Sequence, residues 1–375
     1  MKGNLFMNFK NLEINDDIIN VLKKNGITNP TPVQEESIPL IKSGKDVIAQ
    51  AQTGTGKTLA FLLPIFENID TSKNCVQALI VSPTRELAIQ ITEEANKLKE
   101  GKNIGVLAAY GGKDIGSQLK KLKKDIHLII ATPGRLIDHL MRKTIDLSKL
   151  NTIVLDEADE MLFMGFKNDI ESIMTFAPKK RQILCFSATM DSAVKKLAYR
   201  YMNDPSVVSI KNKEITLENI VQEVVESTDR HKQEALCSVL NEDNPFMSII
   251  FCRTKVRADK LEEDLYKKGF NCAKLHSDIT QSKRERIMKS FRNAEIQYLI
   301  ATDVAARGLD VSGVSHIYNY DIPESVESYV HRIGRCGRAG EKGYTCLFID
   351  PKNQKMLDEI ESTIKSKIKK RILEK

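Results

Sequence analysis

This sequence predicts an α/β fold of two tandem, doubly wound lobes, each built on a mainly parallel sheet and joined by a short hinge. Three observations carry that reading. Short β-branched runs alternate with helical patterns, which is the signature of repeated β-α units. The runs lack polar alternation, so they read as strands buried on both faces. The whole pattern then occurs a second time after a polar stretch. In the first half the runs are residues 46–49, 78–81, 127–130, 152–155 and 182–186. In the second half they are residues 248–251, 272–275, 298–301, 316–318 and 344–348. Residues 85–100 and 258–269 are typical of the helical patterns between them. Residues 211–218 carry neither apolar periodicity nor Gly or Pro. We therefore assign an N-terminal lobe to residues 1–210, a hinge to 211–218 and a C-terminal lobe to 219–375.

Composition narrows the function. The chain has 375 residues, with 57 Lys and Arg against 50 Asp and Glu, so the net charge of +7 is only mildly basic. A hydrophobic fraction of 41% is enough for a globular core and too high for a basic disordered arm. The seven cysteines form no C-x-x-C pair, which argues for reduced buried thiols in a cytosolic protein. No apolar run approaches the ~18 residues of a membrane span, and none near the N-terminus reads as a signal peptide. A cytoplasmic protein without membrane contact is expected.

Taken in chain order, three motifs carry chemistry. Ala51-Gln52-Thr53-Gly54-Thr55-Gly56-Lys57-Thr58 follows a buried strand and opens a helix. Such a glycine-rich turn aims backbone N–H groups at phosphate oxygens. Lys57 reaches the β- and γ-phosphates, and Thr58 is a ligand for Mg²⁺. Asp156-Glu157-Ala158-Asp159 follows the strand at 152–155, where open α/β sheets bind ligands. Asp156 is suited to hold Mg²⁺, and Glu157 to orient and deprotonate an attacking water. His331-Arg332-Ile333-Gly334-Arg335-Cys336-Gly337-Arg338 gathers three guanidinium groups and an imidazole, a set suited to phosphate oxygens. We read it as an arginine-finger segment whose domain closes on the nucleotide of the other. Catalytic work is thereby assigned to Lys57, Asp156, Glu157, His331, Arg335 and Arg338.

The order of these motifs resembles the DEAD-box family of ATP-dependent RNA helicases, in superfamily 2, over nearly the whole chain. The resemblance implies RecA-like lobes, ATP and Mg²⁺ as cofactors, and RNA as partner. Gly26 to Gln34 is similar to the family's Q motif, which implies that Gln34 reads the adenine edge and that Phe9 stacks near the base. Ile27 stands where the family often has an aromatic. Gly308 and Asp310, in Ala301 to Asp310, also fall on the nucleotide side, with Asp310 implied to touch the ribose. Pro83, Thr84 and Arg85, then Gly111 and Gly112, then Thr132, Pro133, Gly134 and Arg135 match the RNA-facing motifs of the first lobe. Arg253 and Thr254, Gln281 and Arg284, and Thr302 match those of the second. Ser187 and Thr189, with Asp159, match the segments that couple ATP state to RNA state. Ribonucleoprotein or RNA-decay partners are in keeping with the family.

The RNA-facing loops also make sense without the resemblance. Loops of Thr, Gly, Pro and Arg after strands offer hydroxyls, N–H groups and guanidinium to phosphate and sugar, not to bases. With no Trp and 6% aromatics, base stacking is a poor candidate for the main contact. Near the C-terminus, Ile360, Ile364, Ile368 and Ile372 recur every four residues, which predicts a basic terminal helix. It would either dock on the second lobe or add an RNA contact. The expected activity is RNA-dependent ATP hydrolysis that separates short RNA duplexes or remodels RNA–protein complexes by lobe closure. The alternative is an ATP-gated RNA clamp serving as an assembly platform.

Overall fold

The structure is a computed structural model that describes residues 8–52, 54–112, 125–210, 220–306, 311, 313–337 and 342–373. The expected hinge, residues 211–218, lies outside the described residues. The chain forms two compact units, Met1–Asn212 and Lys213–Lys375.

The first unit holds seven strands: β1 (Val47–Gln50), β2 (Ala78–Val81), β3 (Val106–Ala109), β4 (Leu128–Ala131), β5 (Thr152–Leu155), β6 (Gln182–Ser187) and β7 (Ser206–Ser209). They form one parallel sheet in the order β3-β4-β2-β5-β6-β1-β7. Successive residues of a strand point to opposite faces, and both faces are covered. Ile80, Val154 and Leu184 enter one buried apolar cluster, whereas Leu79, Ile153 and Ile183 enter the other. That two-sided burial is why these strands carry no polar alternation.

The second unit repeats the plan. Its strands are β8 (Ile220–Glu226), β9 (Ser248–Cys252), β10 (Cys272–Leu275), β11 (Tyr298–Thr302), β12 (His316–Asn319), β13 (Gly343–Ile349) and β14 (Lys369–Lys370). The order is β10-β11-β9-β12-β13-β8-β14, again all parallel. Numbered from its own first strand, this is the same order as in the first unit. Ile249 and Leu299 face one apolar cluster, and Ile250 and Ile300 the other.

The basic terminal helix is corrected here. The helix Gln354–Ile364 stops at Lys365, which adopts a left-handed φ of 53°. The chain then turns so that the Ile368 N–H donates to Glu361 Oε1 at 2.9 Å, and Lys369–Lys370 pair with β8. Arg371 anchors this strap, donating to Asp243 at 2.8 Å and to the Tyr344 hydroxyl at 2.6 Å. Extending β8 satisfies backbone groups that a continued helix would leave exposed along the strand. Ile368 is buried in the core, while Ile372 is 83% exposed, so their four-residue spacing marks no common face.

Among the described residues, no helix is long and apolar enough to cross a membrane. All seven cysteines are free.

Candidate functional site

In parallel sheets the loops after the strands gather at one end, and here they sort into two neighbouring groups. The loops after β1, β5 and β6 hold the phosphate-type residues. Those strands lie side by side in the order β5-β6-β1. The loops after β2, β3 and β4 hold the residues matched to RNA contacts, and those strands form the adjoining edge.

The loop after β1 begins with Ala51, whose N–H donates to the Ser187 carbonyl at 2.9 Å. Thr55 Oγ1 donates back to the Gln52 carbonyl at 2.7 Å, closing the turn. Gly54 and Gly56 have φ of 84° and 92°, in the left-handed region that favours glycine. Gly56 is needed for a second reason: a Cβ there would stand 2.5 Å from Gln34 Nε2. Lys57 opens the helix Lys57–Asn68, with Thr58 half-buried beside it. Lys57 is 6% exposed, and its Nζ has no hydrogen-bond partner. A buried, unpaired ammonium at a helix N-terminus fits an anionic ligand group. Thr53 lies outside the described residues.

Gln34 joins the Gly26–Gln34 segment to this loop. Its Nε2 donates to the Gly56 carbonyl at 3.0 Å, and its Oε1 accepts from the Thr31 N–H at 3.0 Å. One amide N–H of Gln34 is left for a further acceptor. Phe9 departs from expectation. It is 2% exposed within the first unit's apolar core, so the ring is core packing rather than an open stacking face. Ile27, half-buried, packs against the same cluster.

Asp156 and Glu157 follow β5 and are both buried. The Asp156 N–H donates to the Val81 carbonyl at 2.9 Å, extending the ladder to β2. Burial pushes the Asp156 carboxyl up, to about 7, against the pull of the Lys57 ammonium. Glu157 adopts a left-handed φ of 51° immediately before the helix Ala158–Phe163. Strain at such a non-glycine position is held only where the surroundings demand it. Asp159 ties this loop to the one after β6: its Oδ2 accepts from the Thr189 N–H at 2.8 Å and from Thr189 Oγ1 at 3.0 Å. Its own N–H donates to Ser187 Oγ at 3.3 Å. The three residues expected to couple the two ligand states therefore form one hydrogen-bonded unit.

For Mg²⁺, the donor set is sparse. Among the described residues no cluster of three or more His, Cys, Asp or Glu could hold a metal ion. A hard cation bound mainly through phosphate oxygens and water, with one carboxylate and one hydroxyl, fits Asp156 and Thr58.

On the adjoining edge, Thr84 caps the helix Arg85–Leu98 by accepting from the Leu87 N–H at 3.2 Å. Its hydroxyl proton stays available to an acceptor. Arg85 lies over Gly111, where a Cβ would come within 2.9 Å of its guanidinium. Gly112 has φ 86°. Thr132 precedes the helix Pro133–Met141; Gly134 on it is exposed with open space where a Cβ would point, and Arg135 is half-buried.

In the second unit Thr254 repeats the cap of Thr84, accepting from the Arg257 N–H at 3.3 Å. Arg253 is exposed, and its backbone N–H donates to Asp321 Oδ2 at 2.9 Å. Gln281 and Arg284, expected as RNA contacts, are both buried. Arg284 donates to the His276 carbonyl at 3.0 Å and so braces the loop after β10. Thr302 ends β11, half-buried. His331, Arg332 and Arg335 line a small cavity with Asp303 and Ala306. Arg338, Gly308 and Asp310 lie outside the described residues. Sequence reading left Arg332 out of the catalytic set and gave it no role of its own; in the structure Arg332 falls inside the helix Val326–Ile333 and Arg335 beyond its end at Gly334.

Comparison with known proteins finds relatives along nearly the whole chain. A DEAD/DEAH box helicase model matches residues 31–197, and a helicase conserved C-terminal domain model matches residues 231–340. The chain is 50% identical over 355 residues to the ATP-dependent RNA helicase CshA of Limosilactobacillus reuteri, covering 95% of this chain and 71% of that protein. It is 48% identical over 360 residues to the DEAD-box ATP-dependent RNA helicase CshA of Bacillus subtilis, covering 96% and 73%. Among solved structures, S. cerevisiae Dbp5 bound to RNA and ADP BeF3 aligns with a TM-score of 0.88 at 29% identity, covering 97% of this chain and 95% of that one. A DEAD box protein from Methanococcus jannaschii aligns with a TM-score of 0.55 at 41% identity, covering 98% and 99%.

Proposed function

This chain belongs to the DEAD-box family of ATP-dependent RNA helicases, and from that premise we propose how its residues divide the work. Lys57 and the N–H groups of the Gly54–Gly56 turn hold the ATP phosphates. Gln34 offers its remaining amide N–H to the adenine edge. Asp156 and Thr58 would hold Mg²⁺, which supplies charge neutralisation on the phosphates when bound. Glu157 orients the attacking water and takes its proton. Arg335, with His331 and Arg338, stabilises charge that develops on the transferred phosphoryl group.

RNA lies on the loops after β2, β3 and β4 and on those after β9 and β11. Hydroxyls, N–H groups and guanidinium there meet phosphate and sugar, so binding depends weakly on base sequence. The Asp159–Ser187–Thr189 unit relays nucleotide state to the neighbouring loops. ATP and RNA together favour a closed arrangement of the two lobes, closure bends one strand, and a short duplex separates. Hydrolysis then releases the RNA.

The buried Lys57 ammonium with no hydrogen-bond partner is the observation that carries this reading, because such a group fits an anionic ligand. The test is ATP hydrolysis with and without single-stranded RNA. Turnover that rises with RNA, and short duplexes that part in ATP, support the reading. RNA-stimulated turnover with a long-lived RNA complex and no strand separation favours the clamp. For about five phosphate contacts the log–log salt slope of RNA affinity is near −3.5, at roughly −0.7 per single-strand phosphate. A flat salt dependence contradicts backbone recognition.

A further inference from the structure

Arg332 is 2% exposed, and its hydrogen bonds run to Asp303, Asn319 and Asp321 of the same unit. Its Nε and one terminal nitrogen donate to the two carboxylate oxygens of Asp303, each at 2.6 Å. The other terminal nitrogen donates to Asn319 Oδ1 at 3.0 Å and to the Asp321 carbonyl at 2.7 Å. The guanidinium carbon sits 4.8 Å from the centroid of the Phe251 ring. A guanidinium so engaged has its planar fork committed to a carboxylate, in the bidentate geometry that holds direction as well as charge. It is not aimed at a phosphate.

Its partners are the beginnings of other loops. Asp303 directly follows Thr302 at the end of β11. Asn319 ends β12, and Asp321 accepts from the Arg253 backbone N–H through its carboxylate while accepting from Arg332 through its carbonyl. Phe251 lies in β9, two residues before Arg253. Arg332 itself stands on the helix that leads into Arg335. One side chain thus joins the ends of β9, β11 and β12 to the segment bearing the proposed finger.

We propose that Arg332 is a positioning residue: through Asp303 and Asp321 it fixes Arg335 relative to the loops of Arg253 and Thr302, so that engagement of an RNA backbone on those loops sets where the finger stands. This rests on reading Arg335 as the finger. Removing one member of a buried ion pair leaves an uncompensated charge, so Arg332→Ala would mix misfolding with mispositioning. Arg332→Lys keeps the charge and loses the fork, and Asp303→Asn keeps the shape and loses the charge.

The experiment is a double-mutant cycle in the full chain, read by single-turnover ATP hydrolysis at saturating RNA, with the KM for ATP and thermal melting alongside. Arg332→Lys is expected to lower the RNA-saturated rate roughly ten- to hundredfold, a size in keeping with coupled neighbours. The KM for ATP stays within about threefold, because a group that acts only on the transition state leaves ground-state binding alone. In the Arg335→Ala background the same change lowers the rate no more than about twofold, since a residue acting through Arg335 has nothing left to position. Asp303→Asn follows the same pattern and decides the matter if Arg332→Lys does not fold. Losses that multiply in the double variants, or an unchanged rate in both single variants, overturn the proposal. If Arg335→Ala alone keeps its turnover, the finger reading itself fails, and that result is distinct from additivity in the cycle.

Discussion

The helix after β1 begins with Lys57 and the helix after β8 begins with Lys232, and both lysines are buried. Two strands away in each sheet stands an aspartate, Asp156 after β5 and Asp321 after β12, each with its N–H on the neighbouring strand's carbonyl. The two units therefore present the same pair of charges at the same topological place. Only the first leaves its lysine nitrogen without a hydrogen bond or close ion pair. In the second, Lys232 Nζ lies 3.5 Å from Asp229 and 4.0 Å from Asp321, and Arg257 Nε is 3.0 Å from Asp321. Asp229 belongs to the segment Ser227-Thr228-Asp229-Arg230-His231, which has no glycine. The difference teaches that this sheet order brings a cation and an anion together at the strand ends, and that the connecting loop decides their use. A glycine turn bends backbone N–H groups inward and leaves the cation for a ligand. A loop with its own carboxylate neutralises it.

The sharpest way to break this comparison is to remove each lysine. Lys57→Ala is expected to abolish ATP hydrolysis while the melting temperature changes little. Lys232→Ala is expected to keep RNA-stimulated turnover within a few-fold and to cost about 1–3 kcal/mol of stability, since it leaves Asp321 short of a partner. A steady-state ATPase assay beside thermal melting reads both. Equal losses of turnover would mean that the second unit also serves a phosphate.

Glu157→Gln sharpens the contrast inside the first unit. The amide keeps the shape but cannot take a proton, so hydrolysis should fall about 10²–10⁴-fold. RNA affinity in ATP, followed by anisotropy, should equal or exceed the parent's. Loss of that affinity together with hydrolysis would assign Glu157 to organising the loop rather than to chemistry.

Gly56 and His231 are the residues that precede the two lysine-bearing helices, at φ of 92° and −104°. Gly56→Ala forces a Cβ against Gln34 and holds a left-handed backbone, at a cost of about 1–3 kcal/mol, with ATP affinity weakened alongside. His231→Ala should be near neutral in stability. Calorimetry of nucleotide binding to each variant distinguishes them.

The smallest expected effect tests the symmetry of the caps. Thr84→Ala and Thr254→Ala each remove a hydroxyl that accepts an N–H at the start of a helix, and each should cost about 1 kcal/mol in a denaturant melt. Both should also weaken RNA binding. A normal RNA affinity in either variant confines that threonine to capping.

The alternation of strands and helices was legible in the chain because a strand buried on both faces must be apolar throughout, as at Leu79-Ile80-Val81. The phosphate loop was legible for a similar local reason: two left-handed turns need glycine, and the cation must follow at the first helical residue. β8 was not legible. Its centre holds Gln222 and Glu223, which accept hydroxyl hydrogen bonds from Tyr329 and Tyr344 in distant segments, at 2.7 and 2.8 Å. In the arginine cluster, sequence assigned finger work to Arg335 and nothing to Arg332, and packing against Asp303, Asn319 and Phe251 showed what Arg332 holds. Local pattern determined which residues carry charge, turn propensity and apolar surface. Tertiary structure alone decided which charges meet, because desolvation makes a charge's meaning depend on the partner that folding brings to it.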